Sequence, residues 1–133
     1  MLGSRYRFRV TNSQNQAITV TLKGRLWKFT STGAITYSGE VTSLSDVSVA
    51  ASTGTAIADE VDNTVDLYIG ADLTLSCTAA ANTNSTGTVA VWLERSTDGG
   101  LTWPTSGQGE FVGAYTVTAA DTTQVRLKNI TVD

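Results

Sequence analysis

Residues 86–95, Thr86-Gly87-Thr88-Val89-Ala90-Val91-Trp92-Leu93-Glu94-Arg95, run without a break into Ser96-Thr97-Asp98-Gly99-Gly100-Leu101-Thr102-Trp103. The first block alternates: Val89, Val91 and Leu93 share one side of an extended chain, and Ala90, Trp92 and Glu94 share the other. The second block reads as a turn. Its Gly-Gly pair admits positive φ where a tight turn needs it, and the carboxylate of Asp98, one residue earlier, can accept hydrogen bonds from the turn's own amides. A strand that leads into such a turn is one half of a β-hairpin, and the rest of the chain is written in the same two-residue period.

Toward the N-terminus, Arg5-Tyr6-Arg7-Phe8-Arg9-Val10 places Tyr6, Phe8 and Val10 on one face and three arginines on the other. Thr11 to Gln16 is a polar turn. Ala17-Ile18-Thr19-Val20-Thr21-Leu22 follows, and these first two strands are expected to pair as a hairpin. Gly24 reads as a bulge or bend before Arg25-Leu26-Trp27-Lys28-Phe29, and Ser31-Thr32-Gly33 separates that run from Ala34-Ile35-Thr36-Tyr37. Residues 41–63 read as a long excursion, because Ser52-Thr53-Gly54-Thr55 is small, polar and rich in breakers. Further strands are expected at Thr64–Ile69, Leu73–Ala79, Glu110–Val117 and Thr123–Val132, and no window sustains a helical period. About eight to ten short strands imply an all-β chain, an antiparallel β-sandwich or jelly roll. One domain is expected to span residues 1–133, with residues 1–10 as a candidate N-terminal docking strand or arm.

Composition narrows the chemistry. The chain has no histidine and a single cysteine, Cys77, so an intrachain disulfide is impossible and a zinc site would lack its usual ligands. Cys77 shares the inward phase of Leu73, Leu75 and Ala79 and reads as a structural thiol. Acid–base work would fall to carboxylates, of which Asp59, Glu60, Asp62 and Asp66, near Asn63, form the densest cluster. Oxygen ligands so close together could hold a hard cation, but the spacing does not match an EF-hand loop, and a solvated acidic turn accounts for it. No Gly-rich phosphate loop, nucleophile elbow or paired-carboxylate signature occurs. The expectation is a protein that is not an enzyme, with no catalytic residues, no metal and no cofactor. Trp27, Trp92 and Trp103, with Tyr6, Tyr37, Tyr68 and Tyr115, could build a carbohydrate-stacking platform, though such residues more often fill a core. Trp92 is out of phase with Val91 and Leu93, so it belongs to a second buried layer or to an interface.

Charge is unevenly placed. The first 39 residues hold Arg5, Arg7, Arg9, Lys23, Arg25 and Lys28 and no acid, while the remainder holds three basic residues against twelve acids. A basic segment interleaved with aromatics raises nucleic acid as a partner. The acidic balance of the rest, and a basic face confined to two strands, argue against it. Two readings remain: the basic strands lie beside acid-bearing strands and the charges cancel across the sheet, or the basic edge docks on an acidic neighbour, a second copy or another protein. Arg5, Tyr6, Arg7, Phe8, Arg9, Lys23, Arg25, Lys28 and Trp92 are the candidate partner-docking residues.

Ser96, Asp98, Gly100, Thr102 and Trp103 fit the pattern SxDxGxTW at every fixed position, so this hairpin resembles the Asp box of sialidase propellers. In the families that carry it, the box lies away from the active site, so the resemblance implies a structural hairpin and no catalysis. A propeller blade takes roughly forty residues, so the chain could hold only about three blades and could not close a ring. The longer run from Val91 to Pro104, continuing through Gly107-Gln108-Gly109-Glu110-Phe111, resembles a hairpin of small structural proteins of tailed bacteriophages. That resemblance covers about the last third of the chain. It implies a virion β domain of the head-decoration or cement type, bound to the outer surface of the capsid, with a tail or neck component as the alternative. A host-glycan-binding module using exposed tryptophans is the alternative of another class. The expected partners are the major capsid protein and further copies of the chain around a symmetry axis. Met1 to Arg7 has no apolar signal core, and no run of about eighteen apolar residues occurs. The expectation is therefore no membrane partner, synthesis in the host cytoplasm and residence on the virion.

Overall fold

The computed structural model describes residues 2–79, 86–117 and 124–132. Alternation does in three dimensions what it announces locally. In β1 (Arg5–Asn12), Tyr6, Phe8 and Val10 are buried, and in β2 (Ile18–Phe29) so are Ile18, Val20 and Leu22. The remaining strands are β3 (Ile35–Val49), β4 (Gly54–Ile57), β5 (Val61–Asp62), β6 (Gly70–Ala79), β7 (Val89–Ser96), β8 (Glu110–Tyr115) and β9 (Gln124–Val132). They form two antiparallel sheets, one ordered β4-β1-β7-β8 with β5 also on β1, the other ordered β3-β2-β6-β9. No helix occurs among the described residues. The protein is an all-β antiparallel sandwich.

The buried apolar residues form one continuous cluster between the sheets. Tyr6, Phe8, Val10, Val89, Val91 and Leu93 come from the first sheet, and Ile18, Val20, Leu22, Leu73, Leu75, Cys77 and Ala79 from the second. Each such side chain, fully withdrawn from water, contributes about 1.5–3 kcal/mol of hydrophobic free energy before the entropy of ordering is set against it. Cys77 is a buried thiol in the inward phase, as its neighbours imply.

Three expectations are corrected. β1 and β2 are not a hairpin: β1 lies between β4 and β7 in one sheet, and β2 lies between β3 and β6 in the other. The polar residues between them form a corner that crosses the sandwich. Asn12 Nδ2 donates to the carbonyls of Gln16 (2.8 Å) and Val49 (3.2 Å), and Gln14 Nε2 donates to that of Val117 (3.0 Å). Buried backbone polar groups thus find partners without a β1–β2 ladder.

The expected strand at Thr64–Ile69 is a loop. Asn63 replaces the ladder, its Oδ1 accepting from the Tyr68 amide (2.8 Å) and its Nδ2 donating to the carbonyls of Gly3 and Tyr68 (2.9 and 2.7 Å). Asparagine competes with regular structure in this way, and it leaves Val65 86% exposed and Leu67 at φ 55°. Finally, Ile35–Val49 is one 15-residue strand where a short strand over Ala34–Tyr37 and the start of an excursion at residue 41 were expected. Its pairing with β2 shifts register between Leu22 and Lys23 and between Arg25 and Trp27, flanking Gly24. Of the expected strand over residues 123–132, β9 occupies 124–132, and Thr123 and the side chain of Tyr115 lie outside the described residues.

Candidate interaction surfaces

At the end of β7 the Asp-box turn is closed by its own side chains. Gly99 and Gly100 have φ of 75° and 95°, and a Cβ on Gly100 would meet Glu60 Oε1 at 2.6 Å. Asp98 Oδ2 accepts from the Thr102 hydroxyl (2.6 Å) and Oδ1 from the Thr102 amide (2.9 Å). The Ser96 hydroxyl donates to Asp98 Oδ1 (2.7 Å) and accepts from the Gly100 amide (2.8 Å), while Trp103 Nε1 donates to the Gly100 carbonyl (3.1 Å). Ser96, Asp98, Gly100, Thr102 and Trp103 are therefore all spent on the turn.

Hydrogen bonds from the Thr102 hydroxyl, then its amide, then Ser96 lower the Asp98 pKa from 3.8 to about 2. A carboxyl whose pKa is depressed on folding stabilises the fold above its unfolded value, and that contribution is lost as pH falls through the folded one. Asp98→Ala should therefore melt below the parent at pH 6, and the gap should close as pH falls from 3.8 to about 2. Thermal denaturation of both proteins across that range checks this; a gap independent of pH would show that the charge of Asp98 does not hold the turn.

The leading arginines are engaged by acids of their own molecule. Glu94 is fully buried and receives the Nε of Arg7 at 2.7 Å and the Nε of Arg9 on its other oxygen. Only 18% of the Arg7 side chain and 8% of the Arg9 side chain remain exposed. The Arg7 guanidinium also lies 4.4 Å over the Trp103 ring, so the Asp-box hairpin folds back over this clasp. Arg5 pairs with Glu60 (2.7 Å) and Asp62 (3.0 Å). Charge is thus cancelled by acids of neighbouring strands along β1.

Tyr6 and Phe8 are core residues, and burial, with Tyr68 beside it, pushes the Tyr6 hydroxyl up to about 12. β1 is an interior strand rather than a docking arm, and Tyr6, Phe8 and Arg9 present no surface to a partner, because strand alternation turns the aromatics inward and Glu94 holds the arginine. In the acidic segment, Asp62 accepts from the Thr64 amide (3.0 Å) and hydroxyl (2.6 Å). No group of three or more potential metal ligands converges among the described residues.

Two apolar surfaces lie on the outer faces of the sheets. The outer face of the first sheet carries the in-register row Ile57, Arg9, Trp92 and Phe111. Trp92 is half-buried, donates Nε1 to the Thr11 hydroxyl (2.9 Å) and meets Phe111 edge to face at 5.4 Å. Phe111 is 57% exposed and Ile57 is exposed beside Arg9. The second surface is the end of the β2–β3 hairpin. Trp27 stands opposite Tyr37 and Phe29 opposite Ile35, on the face away from the core, and Phe29, Ile35 and Tyr37 are exposed. The Trp27 ring packs against Gly70, whose absent Cβ would fall 2.3 Å from it. The Arg25 guanidinium sits 4.5 Å over Tyr37. Lys23 makes a loose pair with Glu40 (3.7 Å), and Lys28 turns to the opposite side, onto Tyr68 and the Asp66 carbonyl (2.7 Å).

No protein-family model, curated protein or solved structure matches the chain.

Of the nine docking candidates, the structure buries Tyr6, Phe8 and Arg9, leaves Arg5, Arg7, Lys28 and Trp92 half-buried and Lys23 and Arg25 exposed, and does not gather them on one surface. Sequence reasoning missed Phe29, Ile35, Ile57 and Phe111 as exposed groups. A trace was present in β2, where Leu22 and Leu26 keep the inward phase while Trp27 and Phe29 occupy the other.

Proposed function

We propose that the protein is a non-catalytic structural component of a phage virion, of the capsid decoration type, which docks on the outer surface of the head through the Ile57–Trp92–Phe111 face. The observation that carries this reading is that Phe111 and Ile57 stay in water on that face while Glu94 holds the guanidinium groups of Arg7 and Arg9 largely out of it. An aromatic patch of this kind, its arginines already engaged by a carboxylate, suits the desolvated centre of a protein interface. The likeness of residues 91–111 to the hairpins of phage structural proteins supplies the partner, the major capsid protein. Glu94 is engaged in the clasp and Asp98 in the turn.

Cosedimentation of the purified full chain with emptied phage heads tests the reading. The wild-type protein is expected to pellet with heads, and Phe111→Ser, at an exposed position, to weaken binding about tenfold or more with the fold unchanged. A protein that stays in the supernatant, or a Phe111→Ser variant that binds as well as wild type, overturns it.

A further inference from the structure

Along β1 the ion pairs are unevenly matched. Arg5, at the start of the strand, meets two carboxylates, Glu60 and Asp62, whereas Arg7 and Arg9 share the single carboxylate of Glu94. The clasp thus holds two cations against one anion. Its other contacts are neutral: Thr55 gives Arg9 a hydroxyl oxygen, and Trp103 gives Arg7 the face of its ring. Asp59, exposed just past Ile57 and Ala58, forms no ion pair with either arginine. An excess charge largely withdrawn from water is unfavourable until an anion reaches it. Arg7 is where one can, with 18% of its side chain exposed against 8% for Arg9. Glu94 takes its Nε, and the guanidinium carries further N–H donors on its two terminal nitrogens. Arg7 stands two residues from Arg9 on the outer face, so it borders the Ile57–Arg9–Trp92–Phe111 row.

We infer that a carboxylate side chain of the docking partner seats on the Arg7 guanidinium, at the border between the aromatic row and the Asp-box hairpin. This rests on the reading of that face as the head-docking surface, and it adds the charge of the group met there. The occupant is a carboxylate because the clasp lacks one negative charge. The planar guanidinium, held against Trp103, also presents paired donors that match two carboxylate oxygens. Once the interface closes, the aromatic row that Arg7 borders keeps water from the new ion pair and so strengthens it.

Cosedimentation of the full chain with chemically modified heads tests the inference. Emptied phage heads whose surface carboxylates have been converted to neutral amides, with a carbodiimide and glycinamide, are expected to bind wild type about tenfold or more weakly than untreated heads. The chain has a formal net charge of −3, so a contact governed by net charge would instead strengthen as amidation makes the heads more basic. Arg7→Met leaves Glu94 paired one to one with Arg9 and keeps an apolar stem beside Trp103. With its melting transition checked, this variant is expected to bind untreated heads as weakly as wild type binds amidated ones, and to lose nothing further on amidated heads. The amidated heads decide the question even if the variant does not fold. Wild type that binds amidated heads as well as untreated ones overturns the inference and leaves the docking face standing. So does a folded Arg7→Met variant that binds untreated heads as wild type does. A wild-type chain that ignores untreated heads overturns the docking reading itself, and the inference with it.

Discussion

Glu94→Ala is expected to lower the stability of the fold by about 3–5 kcal/mol, a large share of what a small domain possesses. Glu94 has no exposed side-chain surface, and both of its oxygens are taken by guanidinium groups that are themselves largely buried. Removing the carboxylate leaves two arginines withdrawn from water with no counter-charge, and neither can swing out freely. Arg7 is held against Trp103, and Arg9 is also bonded to the Thr55 hydroxyl at 3.2 Å. The penalty is therefore the desolvation of unpaired charge rather than the loss of two hydrogen bonds. By contrast, an exposed pair such as Arg95–Glu110, 2.5 Å apart but open to solvent, should contribute less than about 1 kcal/mol. Urea unfolding of Glu94→Ala and Glu110→Ala measures both. A loss at Glu94 no greater than that at Glu110 would mean that the arginines find water, and that the clasp does not hold the β1–β7 pair.

The second large effect is expected at Gly24. A Cβ there would lie 2.0 Å from the Asp72 carbonyl oxygen and 2.9 Å from the Leu73 Cα. Both atoms belong to the backbone of β6, so no rotamer change relieves the clash, and β2 must separate from β6 where Lys23, Gly24 and Arg25 pair with Thr74, Leu73 and Asp72. Gly24→Ala should cost about 3 kcal/mol or more, at the upper end of overpacking penalties. Gly39 is the internal control: a Cβ there meets nothing within 4 Å, so Gly39→Ala should change stability by less than about 0.5 kcal/mol. Thermal unfolding of the pair, with hydrogen exchange along β2 and β6, checks the assignment. Equal stability of the two variants would refute a close approach of these strands.

Legibility followed the range of the interaction. The inward residues of β1, β2, β6 and β7 were readable because alternation depends only on neighbours along the chain. The Asp-box hairpin was readable because Asp98, Thr102 and Ser96 bond within seven residues of sequence. The loop at Thr64–Ile69 was not, since Val65, Leu67 and Ile69 alternate as a strand would, and the Asn63 side chain instead claims the backbone groups. Nor was the fate of Arg7 and Arg9, whose partner lies more than eighty residues away.

By itself, then, the sequence determined that this chain is a set of short antiparallel strands with known inner faces, joined at one point by a self-satisfied turn. These properties come from strand geometry and local hydrogen bonding, which no distant residue needs to supply. Only the tertiary structure decided that β1 and β2 part into different sheets and that Glu94 withdraws two arginines from the surface. It also decided that Phe29, Ile35, Ile57 and Phe111 are left in water. Those outcomes depend on which strands become neighbours, and strand pairing is a contest among distant segments settled by packing the whole core at once.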